Sequence, residues 1–189
     1  FSPHSSSGTT DEALRITSSG TVGVGGVTAP AADLEVLDTT TSSATQGGSL
    51  RLSANDGATM ADDHRLGVIE FAGAEDGSAT MTVGARIEAI CDATWSASEN
   101  GASMAFYTTD GNATQTEVMR ITSDKFVGIG TDAPNQPLTI EGTMSMKEQA
   151  GANADVAAYG QLWIKSDTPN SLYFTDDAGN DVPIAGGAK

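Results

Sequence analysis

EVMRITSDKFVGIG, residues 117–130, repeats EALRITSSGTVGVG, residues 12–25, with eight of fourteen positions identical. After one extra residue in the first copy, Gly26, the match resumes as VTAPAADLEV against TDAPNQPLTI. Each copy reads as a strand, a turn, a glycine-alternating strand, a corner at Pro30 or Pro134, and a short strand. In Val22-Gly23-Val24-Gly25 and Val127-Gly128-Ile129-Gly130 the branched residues share one face and the glycines the other. A strand face without Cβ atoms lets another backbone come close, at a cost in conformational entropy. Two readings follow. Either three chains crowd one axis with the glycines at the tight crossings, or the glycines mark bulges in an ordinary hairpin.

Outside the repeat, short alternating runs continue the strand pattern. Leu14 and Ile16 share a face, as do Leu50 and Leu52, and Met104 and Phe106. The longest run, ATMTVGARIEAIC, puts Met81, Val83, Ala85, Ile87, Ala89 and Cys91 on one side, the period of a half-buried strand. LGVIEFA loads both faces, Leu66 and Val68 on one, Ile69 and Phe71 on the other, and reads as a central strand. The joints carry turn residues: Asn55-Asp56-Gly57, Glu75-Asp76-Gly77, Glu99-Asn100-Gly101, Asp110-Gly111-Asn112 and Asp177-Ala178-Gly179-Asn180. No long helical period is present. The expected fold is all-β, with short antiparallel strands and hairpins.

Composition sharpens this. Ala, Thr, Ser and Gly make up 90 of the 189 residues, whereas Leu, Ile, Val and Phe number only 33, and the net charge is −16. Such a chain has few large side chains for a core of its own, so it is either loose or ordered by pairing with copies of itself. Nine Lys and Arg, none adjacent, cannot neutralise a phosphate backbone, which excludes nucleic acid as a partner. No stretch approaches the length of a membrane-spanning helix. One Cys and two His leave no thiol pair and no imidazole-rich metal centre, and no cofactor is expected. The chain opens on Phe1 without Met, as a processed or partial piece of something longer would. The acidic exterior suits a salty medium and opposes side-by-side bundling.

RITSSGTVGVG and, more fully, MRITSDKFVGIGTDAPNQPLTIEG resemble the repeated stalk element of bacteriophage tail fibres and related trimeric virion fibres. YGQLWIKSDTPNSLYFTDDAGNDVPI resembles a second module of fibres and structural proteins of environmental, especially marine, phages. The first copy departs from the pattern at Gly26 and at Val27, where the second has Thr131, so a looser corner is expected there. The resemblance implies an elongated, intertwined, β-helix-like homotrimer, extracellular on a virion, that holds and spaces a host-attachment apparatus. Its partners would be its own copies, other virion or fibre proteins, and host surface glycans. Within it the chain divides into a flexible lead-in (1–12), a first stalk repeat (13–36), a middle β region (37–116), a second stalk repeat (117–142), a loop or short helix (143–160) and a C-terminal β-hairpin module (161–189).

The residues expected to carry assembly are Val22, Gly23, Val24, Gly25, Val127, Gly128, Ile129, Gly130 and Pro134, with Trp163 and Tyr173 of the C-terminal hairpin. In QLWIK and SLYFT, Trp163 and Tyr173 lie opposite the Leu162, Ile164, Leu172 and Phe174 face, placed to pack in a core or against a neighbouring chain, or to meet a ligand.

Catalytic readings are poorer. His64 follows Asp62 and Asp63, but adjacent residues on a loop do not make a triad. Cys91 shares an apolar strand face and reads as an inert thiol. Glu70, Glu75, Asp76, Asp92 and Glu99 could supply the paired carboxylates of a polysaccharide hydrolase only if two converged in a groove. Asp176, Asp177, Asn180 and Asp181 are an all-oxygen set of the kind Ca²⁺ takes, without the twelve-residue loop spacing. Asn112-Ala113-Thr114 fits the glycosylation acceptor pattern. A carbohydrate-binding module is the competing reading, and it calls for exposed aromatics among Phe71, Trp95, Phe106 and Tyr107. Neither catalysis nor a bound metal is expected.

Overall fold

The computed structural model describes residues 12–41, 43–111, 114–154, 157–166 and 170–184. The lead-in (except Glu12), Asn112-Ala113 and most of the turn between QLWIK and SLYFT lie outside them. Among the described residues every regular element is a strand. The first sheet holds β1 (Leu14–Ile16), β2 (Val22–Val24) and β3 (Leu34–Val36) in that order. The second holds β4 (Arg65–Ala74), β5 (Met81–Cys91), β6 (Ala102–Thr109), β7 (Gln115–Ile121), β8 (Val127–Ile129) and β9 (Leu138–Ile140), also in chain order. The third holds β10 (Glu148–Gln149), β11 (Gln161–Lys165), β12 (Ser171–Thr175) and β13 (Asp181–Pro183). The chain divides into two compact units, residues 1–69 with 88–102, and residues 70–87 with 103–189.

Three pairings depart from the antiparallel expectation. β2 and β3, β8 and β9, and β10 and β11 are parallel. The first two follow from the proline corners. Instead of turning back as a hairpin, the chain crosses the sheet face and re-enters alongside, Val22 beside Leu34 in one repeat and Val127 beside Leu138 in the other. Parallel neighbours need a crossover connection, and here it is only residues 25–33 or 130–137. Within 143–160, Glu148 and Gln149 form a short strand beside Ile164 and Lys165, in place of a helical turn.

Two further expectations are corrected. Residues 50–52 form no strand, and among the described residues their backbone groups make no ladder bond. The LGVIEFA segment, patterned for a central position, is β4, which stands at the edge of its sheet.

The core is thin. Val27, Cys91, Ala105 and Trp163 are the buried apolar residues among those described, and many large apolar side chains face solvent. In the first unit Arg65 and Glu88 form an ion pair at 2.7 Å, with Glu88 buried. In the second, the Arg86 guanidinium lies 3.7 Å over the Tyr107 ring, Tyr107 donates to Glu117 at 3.1 Å, and Arg120 grips Glu117 with two bonds of 2.8 and 2.7 Å. That grip raises the Arg120 pKa further above its already high value. The ladder runs beside a bulge between Phe106 and Tyr107 and ties β6 to β7.

Candidate assembly surface

Both copies of the repeat close the same backbone bonds. Thr17 N–H donates to the Thr21 carbonyl at 3.0 Å, and Thr122 N–H to the Phe126 carbonyl at 2.9 Å. Gly25 bonds Ala13 as Gly130 bonds Val118, and Leu37 bonds Val24 as Glu141 bonds Ile129. A Glu–Arg pair three residues apart recurs as well, Glu12 with Arg15 at 2.5 Å and Glu117 with Arg120 at 2.7 Å.

Register then sorts the side chains. Leu14, Val24 and Val36 stand in one row and Ile16, Val22 and Leu34 in the next. The second copy lines up Met119, Ile129 and Ile140, then Ile121, Val127 and Leu138. Side chains alternate across a strand, so all six of each set lie on one face. Ile16, Leu34 and Val36 are exposed in the first copy, and Ile121, Ile129 and Leu138 in the second.

The opposite face belongs to Gly23 and Gly128, and the crossover connection explains both. A Cβ on Gly23 would stand 2.8 Å from the Val27 Cβ and 3.0 Å from Pro30. On Gly128 it would run into the Thr131 carbonyl and stand 3.4 Å from Pro134. The close approach these glycines allow is therefore to the chain's own proline corner. Val27, buried, packs the first corner closed despite the inserted Gly26. Gly25 and Gly130 do different work. They hold φ of +85° and +74°, the left-handed region a side chain rarely adopts, where the chain leaves its strand for the crossover.

In the C-terminal module, Trp163 and Tyr173 stack within the chain, ring centroids 5.0 Å apart. Trp163 is buried; its Nε1 donates to Thr175 Oγ1 at 2.8 Å, and that hydroxyl donates to Asp181 at 2.6 Å. Lys165 sits 5.2 Å over the Tyr173 ring. The other face carries Leu162, Phe174 and Val182 in one row, all exposed. Sequence alternation already puts Leu162 and Phe174 on a shared face, and the register adds Val182 to their row.

Several of the candidate acids are engaged locally, whereas Glu70 is exposed on β4. Asp176 accepts from the Ala178 and Asn180 amides and from the Asn180 side chain, and the Asn180 bond leads in holding its carboxyl below the ordinary value. Asp76 caps its turn through Ser78 and Thr80, and Glu75 binds Thr82. Asp92 and Glu99 do approach each other's neighbourhood, both flanking Gly101, whose amide donates to Glu99 at 2.7 Å. His64 accepts the Ala61 amide at 3.3 Å, while the His64 and Cys91 backbones bond at 2.9 Å. Burial leads in pushing the Cys91 thiol up, away from nucleophilic character. Among the described residues no cluster of three or more His, Cys, Asp or Glu is arranged to hold a metal ion. Of the middle aromatics, Phe71 is exposed; Trp95 donates to the Gly101 carbonyl at 2.9 Å, and Tyr107 lies under Arg86.

No family model matches the chain, and no curated protein matches it. Among solved structures it is similar to the carboxy-terminal domain of the bacteriophage T5 L-shaped tail fibre, at 10% identity over 79% of this chain and 91% of that one, with a TM-score of 0.47. It is similar also to that domain with its intramolecular chaperone domain, at 11% identity over 82% of this chain and 62% of that one, with a TM-score of 0.47.

Proposed function

We propose that the chain is a structural segment of a phage-like tail or virion fibre, extracellular on the particle, which assembles as an intertwined homotrimer and carries out no reaction. It spaces and holds an attachment apparatus. The observation that carries this reading is the six-residue apolar face recurring in both repeats, exposed at the matched positions Ile16 and Ile121, and Leu34 and Leu138. A monomer would gain nothing from displaying the same face twice, whereas packing against other copies buries it in each repeat. The glycine face, closed by the chain's own corner, is then the outer one. A glycan-reading middle region finds less support, since Phe71 is the one exposed ring among its described aromatics.

The test is mass measurement in solution at roughly 0.3 M salt, where exposed charges are screened within a few ångströms, joined to low-resolution imaging. Three chains in an elongated particle with three-fold symmetry are expected. A monomeric globule overturns the reading.

A further inference from the structure

We propose that residues 49–53 of one copy add as an outer antiparallel strand to β4 of a neighbouring copy, with Arg51 opposite Glu70. The inference rests on the self-assembly reading and names where two copies join. Residues 48–54, GSLRLSA, alternate as a strand does. Among the described residues, however, no backbone N–H or C=O of theirs is bonded. Leu52 rests against Gly67 of its own chain, where a Cβ would stand 2.7 Å away, and this anchors the segment without pairing it. β4 shows the complementary deficiency. It carries apolar residues on both faces, the pattern of a strand covered on both sides, yet among the described residues it is a ten-residue edge with β5 as its one neighbour. An edge of that length left open is a template for another chain.

The register is chosen by side chains. With Arg51 opposite Glu70, Leu50 falls opposite Phe71 and Leu52 opposite Ile69, on a common face. These four are 68%, 56%, 46% and 47% exposed in one chain. Arg51 and Glu70 are exposed too, and neither is ion-paired among the described residues. One register therefore pairs the charges and covers all four apolar side chains, as cross-strand neighbours do. Antiparallel pairing is the stronger of the two senses. Because donor and acceptor are different surfaces of the same chain, the joint is head-to-tail and closes only as a ring.

Ser49→Cys with Ala72→Cys places two thiols at opposed positions of this register, in a chain whose own cysteine is buried. Mild oxidation should give covalent dimers and trimers on a non-reducing gel. A disulfide closed within one chain, or none, overturns the strand addition. Arg51→Glu should release monomer at concentrations where the unmodified chain is assembled, and adding Glu70→Arg should restore assembly; failure of the restoration also overturns it. Mass measurement of the unoxidised chain separates the two levels. An assembled particle without the cross-link sinks this joint alone, whereas a monomer sinks the trimer reading with it.

Discussion

Thr131 lies over Gly128 so closely that a Cβ on the glycine would collide with the threonine carbonyl. The obstacle is backbone, which cannot rotate away as a side chain can. Gly128→Ala should therefore destabilise each chain by about 1–3 kcal/mol, the usual range for overpacking, and Gly128→Val by more. Urea unfolding reads the loss. Gly23→Ala should behave alike, because the Val27 Cβ and carbonyl both stand 2.8 Å from the added atom. Wild-type stability in either variant would mean the corner can lift.

Lys125 holds φ of +68° at the turn position where the first copy has Gly20, at +87°. A side chain in the left-handed region costs roughly 1–2 kcal/mol, offset in part by the greater unfolded-state freedom of glycine. Lys125→Gly should raise the thermal midpoint by a gain of up to about 1 kcal/mol. A lowered midpoint would contradict the strain.

Much of the repeat is legible in sequence, because local chemistry decides it. Thr17 and Thr122 cap their turns, glycines stand where φ is positive, and alternation sorts the apolar row. The direction of β3 and β9 is not legible. Nothing in LEV or LTI distinguishes a hairpin return from a crossover; the path over Gly23 does, and that is a property of space. For the same reason the glycines suggest close approach without naming what approaches. Leu50 and Leu52 have the alternation of a strand, but a strand also needs a partner, which one chain does not provide. Trp163 is visible as an aromatic on one face, whereas the bonds behind its indole run through Thr175 and Asp181 on two other strands.

Thr175 is the link in that buried arrangement, accepting from Trp163 and donating to Asp181. Thr175→Val keeps the shape and removes both bonds, leaving the indole N–H buried without its acceptor. The cost should be about 1–3 kcal/mol, measured by denaturant unfolding, and Thr175→Ser should recover most of it. Equal stability of Val and Ser variants would show the hydroxyl to be unimportant.

Asp176 titrates below its ordinary 3.8 because the Asn180 side chain and the backbone amides of Asn180 and Ala178 bond its charged form. A depressed folded pKa contributes stability that is fully present above the unfolded value and is lost as pH falls through the folded one. The turn should therefore hold at pH 5 and loosen as acid is added below about 3.8. The Asn180 and Ala178 amide resonances report this directly. Asn180→Ala removes the leading bond, so the carboxyl should titrate closer to its ordinary value. If it titrates unchanged in that variant, the side-chain amide is not the cause.

Ile121 and Leu138 stand in one cross-strand row with Val127 between them, and both are exposed in the single chain. Exposed substitutions away from special features usually change stability by less than about 0.5 kcal/mol, so Ile121→Asn with Leu138→Asn is nearly silent if the chain works alone. In a trimer the same two positions are buried three times over, and each desolvated amide lacks a partner. The double variant should then keep its β circular dichroism yet sediment as a monomer at concentrations where the unmodified chain is trimeric. Substituting Thr139, whose row lies on the glycine face, provides the contrast: Thr139→Ala leaves the apolar face intact and should still assemble. Trimer at full yield from the double variant would place the interface elsewhere and leave the repeated apolar face without a purpose.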